Sequence, residues 1–180
     1  MKIKIEPSEE KIVLVNEHDE VIGSCLRSEK PHDAISRVSG LWIENSQGEV
    51  LLAQRAFTKK RSPGKWNIAV AGTVELGETY DTNILKESQE EIGYTLSLDN
   101  VIATKVFFNE SSHKTFVKLF FIRDDIDIQN LVLEPGGVAD VQWITRDEAR
   151  RLVQENPEKY SPFIIEMLNW MDELRKDGMV

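Results

Sequence analysis

The sequence predicts a mixed α+β domain, layered as an α/β/α sandwich with a mixed β-sheet between helices. Strand-like runs lie on both sides of one long central helix, and two further helices close the chain. At 180 residues, against roughly 150 per domain, one domain spanning 1–180 is expected. With 41% hydrophobic and 29% charged residues, the chain can bury an ordinary core.

Within 1–30, Ile12–Val15 and Val21–Leu26 flank a polar Asn16–Glu20 segment and read as N-terminal strands, a hairpin or a pair of edges. Ile35–Glu44 and Glu49–Arg55 are β-rich runs joined through Asn45-Ser46-Gln47-Gly48, a hairpin signal. Pro63-Gly64 marks a turn, and Trp66–Val74 reads as one further strand. From Thr79 to Ile92 the composition turns helical, with Ile84, Ser88 and Ile92 at four-residue spacing and Gly93 as the stop. Val101–Phe108, Thr115–Arg123 and Val138–Ile144 return to strand composition. Thr145 and Glu148 form a capping box for a helix to about Glu155. Ser161-Pro162 starts another, with Ile164, Leu168 and Met171 as its apolar stripe, so helices occupy most of 146–176.

Acids outnumber bases 31 to 22, a net charge of −9. That balance opposes nucleic-acid polymers and anionic membranes as partners, since both reward clustered Lys and Arg. No apolar run approaches the roughly 20 residues that span a bilayer. The opening MKIKIEPSEEKIV lacks the apolar core of a signal peptide, so a cytoplasmic protein is expected. The single cysteine, Cys25, can form neither an internal disulfide nor a structural zinc site.

Two opposite charge blocks lie beneath the net value. Arg55, Lys59, Lys60, Arg61 and Lys65 fall in a stretch without acids. Glu75, Glu78, Asp81, Glu87, Glu90 and Glu91 follow with Lys86 as their one base. On a helix, Glu87, Glu90 and Glu91 at i, i+3 and i+4 share a face and repel. Lys86 offers relief by pairing with Glu90, and the crowding should raise some of the carboxyl pKa values. A hard divalent cation, Mg²⁺ or Mn²⁺, would remove the conflict, and a cation-bridged phosphate is the simplest ligand satisfying both blocks.

The run Gly72-Thr-Val-Glu-Leu-Gly-Glu78, seven residues, then Lys86-Glu87-Ser88-Gln89-Glu90-Glu91-Ile92-Gly93-Tyr94 resembles the Nudix box, here residues 72–94. Gly72, Glu78, Glu87, Glu90, Glu91 and Gly93 keep every spacing. Lys86 stands in place of the usual Arg, and Ser88 in place of a hydrophobic residue. The resemblance implies a Nudix fold and a pyrophosphohydrolase of nucleoside diphosphate-X or related small molecules, using Mg²⁺ or Mn²⁺. By position it makes Glu87, Glu90 and Glu91 metal ligands, with Glu90 or Glu91 doubling as the base. Glu78 supports the site, and the Ala71 carbonyl is a further ligand.

Val15–Gly23, Val50–Ala56 and Pro63–Trp66 are also similar to isopentenyl-diphosphate isomerase, a Nudix-fold relative. That likeness gives Arg55, Lys59 and Lys86 contacts to a substrate diphosphate, and Lys65 stands in the same basic block. The isomerase needs a cysteine just before the box glycine and a histidine just after it, where this chain has Ala71 and Thr73. A Nudix-fold sensor that binds a nucleotide without turnover is the other alternative. His113 and Glu110 lie in a loop after the box where the family can place an extra base or ligand. Trp42, Trp66, Trp143 and Trp170 are expected in the core. Trp170 and Met171 are expected to add apolar surface for a possible homodimer.

Overall fold

The computed structural model describes residues 9–110 and 113–178. The first eight residues of the expected N-terminal region lie outside them. Nine strands hydrogen-bond into one mixed sheet among the described residues: β1 (Lys11–Val15), β2 (Val21–Leu26), β3 (Ile35–Glu44), β4 (Glu49–Arg55), β5 (Trp66–Ile68), β6 (Val70–Thr73), β7 (Ala103–Asn109), β8 (Thr115–Arg123) and β9 (Val138–Thr145). Three helices accompany them: α1 (Tyr80–Ile92), α2 (Arg146–Glu155) and α3 (Pro162–Lys176).

The long strand β3 organises the sheet. It pairs in parallel with β8 from Ser36↔Thr115 to Glu44↔Arg123 and antiparallel with β1, β6 and β4 along its other edge. β4 in turn carries β5 and β9. The period-2 alternation of these strands divides the core. Leu41 and Ile43 with Phe120 and Ile122 face α1 through Ile84 and Ile92. Trp42 with Leu119 and Phe121 faces the opposite layer, where α2 contributes Ala149 and Val153 and α3 contributes Ile164, Leu168 and Met171. This is the expected α/β/α arrangement.

The run Trp66–Val74 is two strands rather than one. β5 pairs with β4, the chain passes through Ala69, and β6 pairs with β3. Each piece is short and pairs with a different strand, and partner choice, which is non-local, decides the break. The C-terminal expectation also changes. Met171 is fully buried inside this chain and offers no surface to a second copy, while the half-buried Trp170 packs on Phe107 with Lys105 above its ring.

One buried carboxylate was not foreseen. Glu44, at the end of β3, is 1% exposed and accepts from Trp42 Nε1 at 3.2 Å. It pairs with Arg175 of α3 and lies 3.6 Å from Arg146 Nε of α2, which ties both helices to the sheet. Replacing Glu44 by Ala leaves two guanidiniums facing a desolvated void. We expect Glu44→Ala to cost about 3–5 kcal/mol, with Tm falling about 2–4 °C for each kcal/mol. A variant within 2 °C of wild type, roughly the effect of under 1 kcal/mol, would remove this pairing from the forces holding α2 and α3.

Candidate active site

Helix α1 is capped at both ends. Thr79 Oγ1 accepts from the Thr82 N–H at 3.2 Å, and the Thr79 N–H donates to Thr82 Oγ1 at 2.9 Å, a reciprocal capping box. Gly93 ends the helix at φ 68°, and its N–H bonds to the Ser88 carbonyl. The face turned to the sheet carries two columns. Ile84, Ser88 and Ile92 are buried, and the Ser88 hydroxyl donates to the Ile84 carbonyl at 2.6 Å, which satisfies a polar group standing where the box has an apolar one.

The other column is polar and reads Tyr80, Asn83, Glu87, Glu91, about one residue per turn. It is fastened to β3 and β6 along its length. Ser39 Oγ donates to the Tyr80 carbonyl at 2.9 Å, Asn83 Nδ2 to the Thr73 carbonyl at 3.2 Å, and the Ala71 N–H to Glu91 Oε2 at 3.1 Å.

Gly72 makes this approach possible. A Cβ there would lie 2.2–2.5 Å from Glu87 Cγ, Cδ and Oε1, inside any contact that real side chains make. The box glycine thus gives the Glu87 carboxylate its place, in the space that a side chain at 72 would take.

Glu87 and Glu91 are half-buried and Glu90 is exposed. Burial, then repulsion from Glu91, pushes the Glu87 carboxyl up to about 8, with Lys86 opposing. Burial pushes Glu91 up to about 7 against the Ala71 N–H and the charges of Arg55, Lys59 and Arg27. Glu78 moves the other way: burial would raise it, but hydrogen bonds from the Glu75 N–H, Lys86 and Asn83 prevail and lower it. Lys86 bonds to Glu75 and, at 2.9 Å, to Glu78, so its charge is spent there and not on Glu90 as the helix spacing suggested. Burial opposes its charge, yet these two carboxylates hold its pKa above the usual lysine value.

Asn83 escaped the sequence reading. It is fully buried and its amide also donates to Glu78 Oε2 at 2.8 Å and to Glu87 Oε1 at 3.3 Å, joining two box carboxylates. The signal available was a buried-face position holding an amide in an otherwise amphipathic helix.

Beside the carboxylates lies a cavity of about 240 Å³ lined by Arg27, Lys30, Arg55, Arg61 and His113, with Ile12, Val38, Val117 and Phe163 on its apolar wall. A smaller cavity of about 20 Å³ holds Glu91, and Arg55, Asn67 and Ala71 line both. Of the expected phosphate-binding residues, Arg55 is therefore on the cavity wall. Lys59 lies 3.9 Å from Glu134, and Lys65 is not among the lining residues. His113 lines the cavity while Glu110 does not, and Arg27 and Lys30, from the N-terminal segment, were missed.

The oxygen donors suit a hard cation: Glu87 and Glu91 are strained by burial and mutual repulsion, as a divalent charge would relieve. In this conformation, among the described residues, no three His, Cys, Asp or Glu side chains converge closely enough to hold a metal ion.

Residues 35–170 match the NUDIX domain. The chain belongs to the Nudix family. It is 30% identical over 141 residues to an uncharacterized Nudix hydrolase of Listeria monocytogenes, covering 77% of this chain and 82% of the relative. It is 25% identical over 172 residues to an isopentenyl-diphosphate Δ-isomerase of an Enterobacter species, covering 93% and 94%. A crystal structure from Deinococcus radiodurans superposes with a TM-score of 0.73 at 24% identity, over 89% of this chain and 98% of that one. The family and its relatives support a hydrolase role, and Nudix proteins generally use divalent metals. No helix among the described residues is long and apolar enough to cross a membrane.

A pH dependence follows from the raised carboxyls. Glu87 titrates from 4.5 in the unfolded chain to about 8 when folded, and Glu91 from 4.5 to about 7. Between those values the folded state holds protons that the unfolded state has released, so stability is fully present below about 4.5 and is lost as pH rises through 7 and 8. We expect the metal-free protein to melt at a lower temperature at pH 8.5 than at pH 6, and Glu87→Gln to flatten that slope. Thermal scans in chelator test it. Equal slopes in wild type and variant would mean that the Glu87 carboxyl is not desolvated.

Proposed function

We propose that the chain hydrolyses a diphosphate linkage in a small molecule, a nucleoside diphosphate-X or a related diphosphate, with Mg²⁺ or Mn²⁺ as cofactor. The observation that carries this reading is the shared wall. Arg55 and Ala71 line a cation-rich cavity and, on the other side, the chamber of Glu91. An anion entering the cavity is thereby brought against the carboxylate helix.

Glu87, Glu90 and Glu91, with the Ala71 carbonyl, would hold the cation, which when bound lowers the pKa of a coordinated water and offsets charge on the phosphoryl oxygens. Arg55 binds the diphosphate. Burial draws its pKa down, with Glu91 opposing, but a guanidinium keeps its charge. Glu91, with a carboxyl pushed to about 7, can accept and return a proton at Oε near neutral pH. Asn83 and Lys86 hold Glu78, and Asn83 also steadies Glu87, so the carboxylates are oriented before substrate arrives.

Isomerase chemistry is disfavoured by the same wall. Ala71 and Thr73 both line the cavity, and neither offers the thiol or imidazole that the isomerase uses at these positions. A substrate there meets a methyl and a hydroxyl at the two positions where that chemistry places its thiol and imidazole.

The test is phosphate release from nucleotides and diphosphate conjugates with Mg²⁺, with Mn²⁺ and with chelator, each followed by a phosphatase step. Metal-dependent turnover is expected. Metal-dependent binding with no turnover would favour the sensor alternative. Within that assay, Glu91→Gln should keep the fold and lower metal-stimulated turnover by at least about 100-fold. Wild-type rates would remove Glu91 from the chemistry. Arg55→Ala should raise KM about tenfold or more with kcat little changed, because it removes a charge-assisted bond already made in the ground state. A fall in kcat at constant KM would contradict that role.

A further inference from the structure

The cations of the large cavity fall into two groups. Arg55 and Arg27, with Lys59 nearby, are the charges that act on Glu91. Lys30, Arg61 and His113 act on one another, and Arg61 also reaches Arg55, whose Nε donates to the Arg61 carbonyl at 3.1 Å. They come from three separate segments: the turn after β2, the β4–β5 loop and the β7–β8 loop. Arg61 and His113 are exposed, so this second group stands at the cavity mouth.

The contrast in pairing is clear. Arg27 is bound to Glu10 at 2.9 Å. Lys30 Nζ donates to the Lys114 carbonyl at 3.0 Å, a neutral partner, and among the described residues neither Arg61 nor His113 has an ion-pair partner. Burial lowers the pKa of Lys30, and Arg61 adds to the effect. Burial lowers His113 too, with Arg61, Lys30 and His32 adding to it. Two clustered cations, Lys30 and Arg61, beside an imidazole able to donate a hydrogen bond, in a chain of net charge −9, are stabilised most simply by a bound anion.

We infer that Lys30, Arg61 and His113 form a second anion subsite, so that the preferred substrate is a diphosphate carrying a further phosphate monoester on the moiety remote from the scissile bond. This rests on the reading of the cavity as the substrate site. Its volume, about 240 Å³, is just below the range of small-molecule sites at ~300–1,000 Å³, and among the described residues Phe163 is the single phenyl or indole ring on its wall. The space suits a compact phosphorylated group better than a base held between two rings. Asn67 fits the same picture: its Oδ1 is buried without a partner on the wall shared by both cavities, an acceptor for a hydroxyl carried between the two anionic ends.

The experiment is an amide NMR titration of the full chain in chelator with inorganic phosphate, repeated with glucose 1-phosphate and glucose 1,6-bisphosphate. Phosphate should move Lys30, Arg61 and His113 with one affinity, and Arg55 and Ala71 with another. The bisphosphate should bind about tenfold or more tightly than the monophosphate, as one added charge-assisted contact allows. In the double variant Lys30→Ala/Arg61→Ala the mouth response and the bisphosphate preference should disappear, while the Arg55 response should remain, since the Arg61 carbonyl that takes the Arg55 Nε bond survives the substitution. Phosphate shifts confined to Arg55 and Ala71, or a bisphosphate preference that survives in the double variant, would overturn the subsite. The turnover panel fails separately: no hydrolysis alongside two phosphate responses would sink the hydrolase reading and leave the subsite standing.

Discussion

The site depends on one steric allowance, the absence of a side chain at Gly72. With the Glu87 carboxylate resting where a Cβ would be, α1 can lie against β6 closely enough for the Ala71 N–H to reach Glu91 and for Asn83 to reach Thr73. Any larger residue would displace the Glu87 side chain from its place against β6 and break its bond from Asn83. The same closeness places two carboxylates, one turn apart, in half-desolvated positions beside a strand. Their raised pKa values are a consequence of the packing, and so is their fitness for a cation.

The two departures from the box pattern are absorbed locally. A lysine at position 86 lacks the fork that would grip one carboxylate bidentately, but as a point charge with rotating donors it satisfies Glu75 and Glu78 separately. Ser88 brings a hydroxyl into the core and returns it to the Ile84 carbonyl, so the helix carries no orphaned donor there. Asn83 completes the arrangement by joining Glu78 to Glu87. Its own Oδ1 is buried without a partner, which fixes the amide's orientation only in one sense: turned the other way, that oxygen would face two carboxylates.

What was legible in the sequence was what is local. β3, β4, β8 and the three helices lie where hydrophobic period, turn residues and caps put them, because each of those signals acts within one element. The box carboxylates were legible too, since i, i+3 and i+4 spacing already determines a shared face. The division of Trp66–Val74 was not, because it is set by the different partners of β5 and β6, β4 and β3, which lie elsewhere in the chain. Glu44 was hidden for a related reason: its partners Arg146 and Arg175 follow it by more than a hundred residues, and nothing near Glu44 announces them. Lys86 misled in the opposite direction. Helical spacing offered Glu90, but the loop before the helix folds Glu75 and Glu78 back onto it.

The same distinction separates reaction from substrate. The groups that would perform the chemistry sit on one strand and one helix twenty residues apart, and a short pattern can encode them. The cavity wall is assembled differently, from the turn after β2, the β4–β5 loop, the β7–β8 loop and the start of α3, all gathered by the pairing of β3 with β1, β6 and β8. Each of those loops can change without disturbing Gly72 or the polar column of α1. Substrate choice is therefore free to drift while the carboxylate site holds. A chain that is 25% identical to an isomerase can keep its overall shape and yet present Ala71 and Thr73 where that chemistry needs a thiol and an imidazole. The residues that line the cavity are ones that the fold brings together from far apart in the chain.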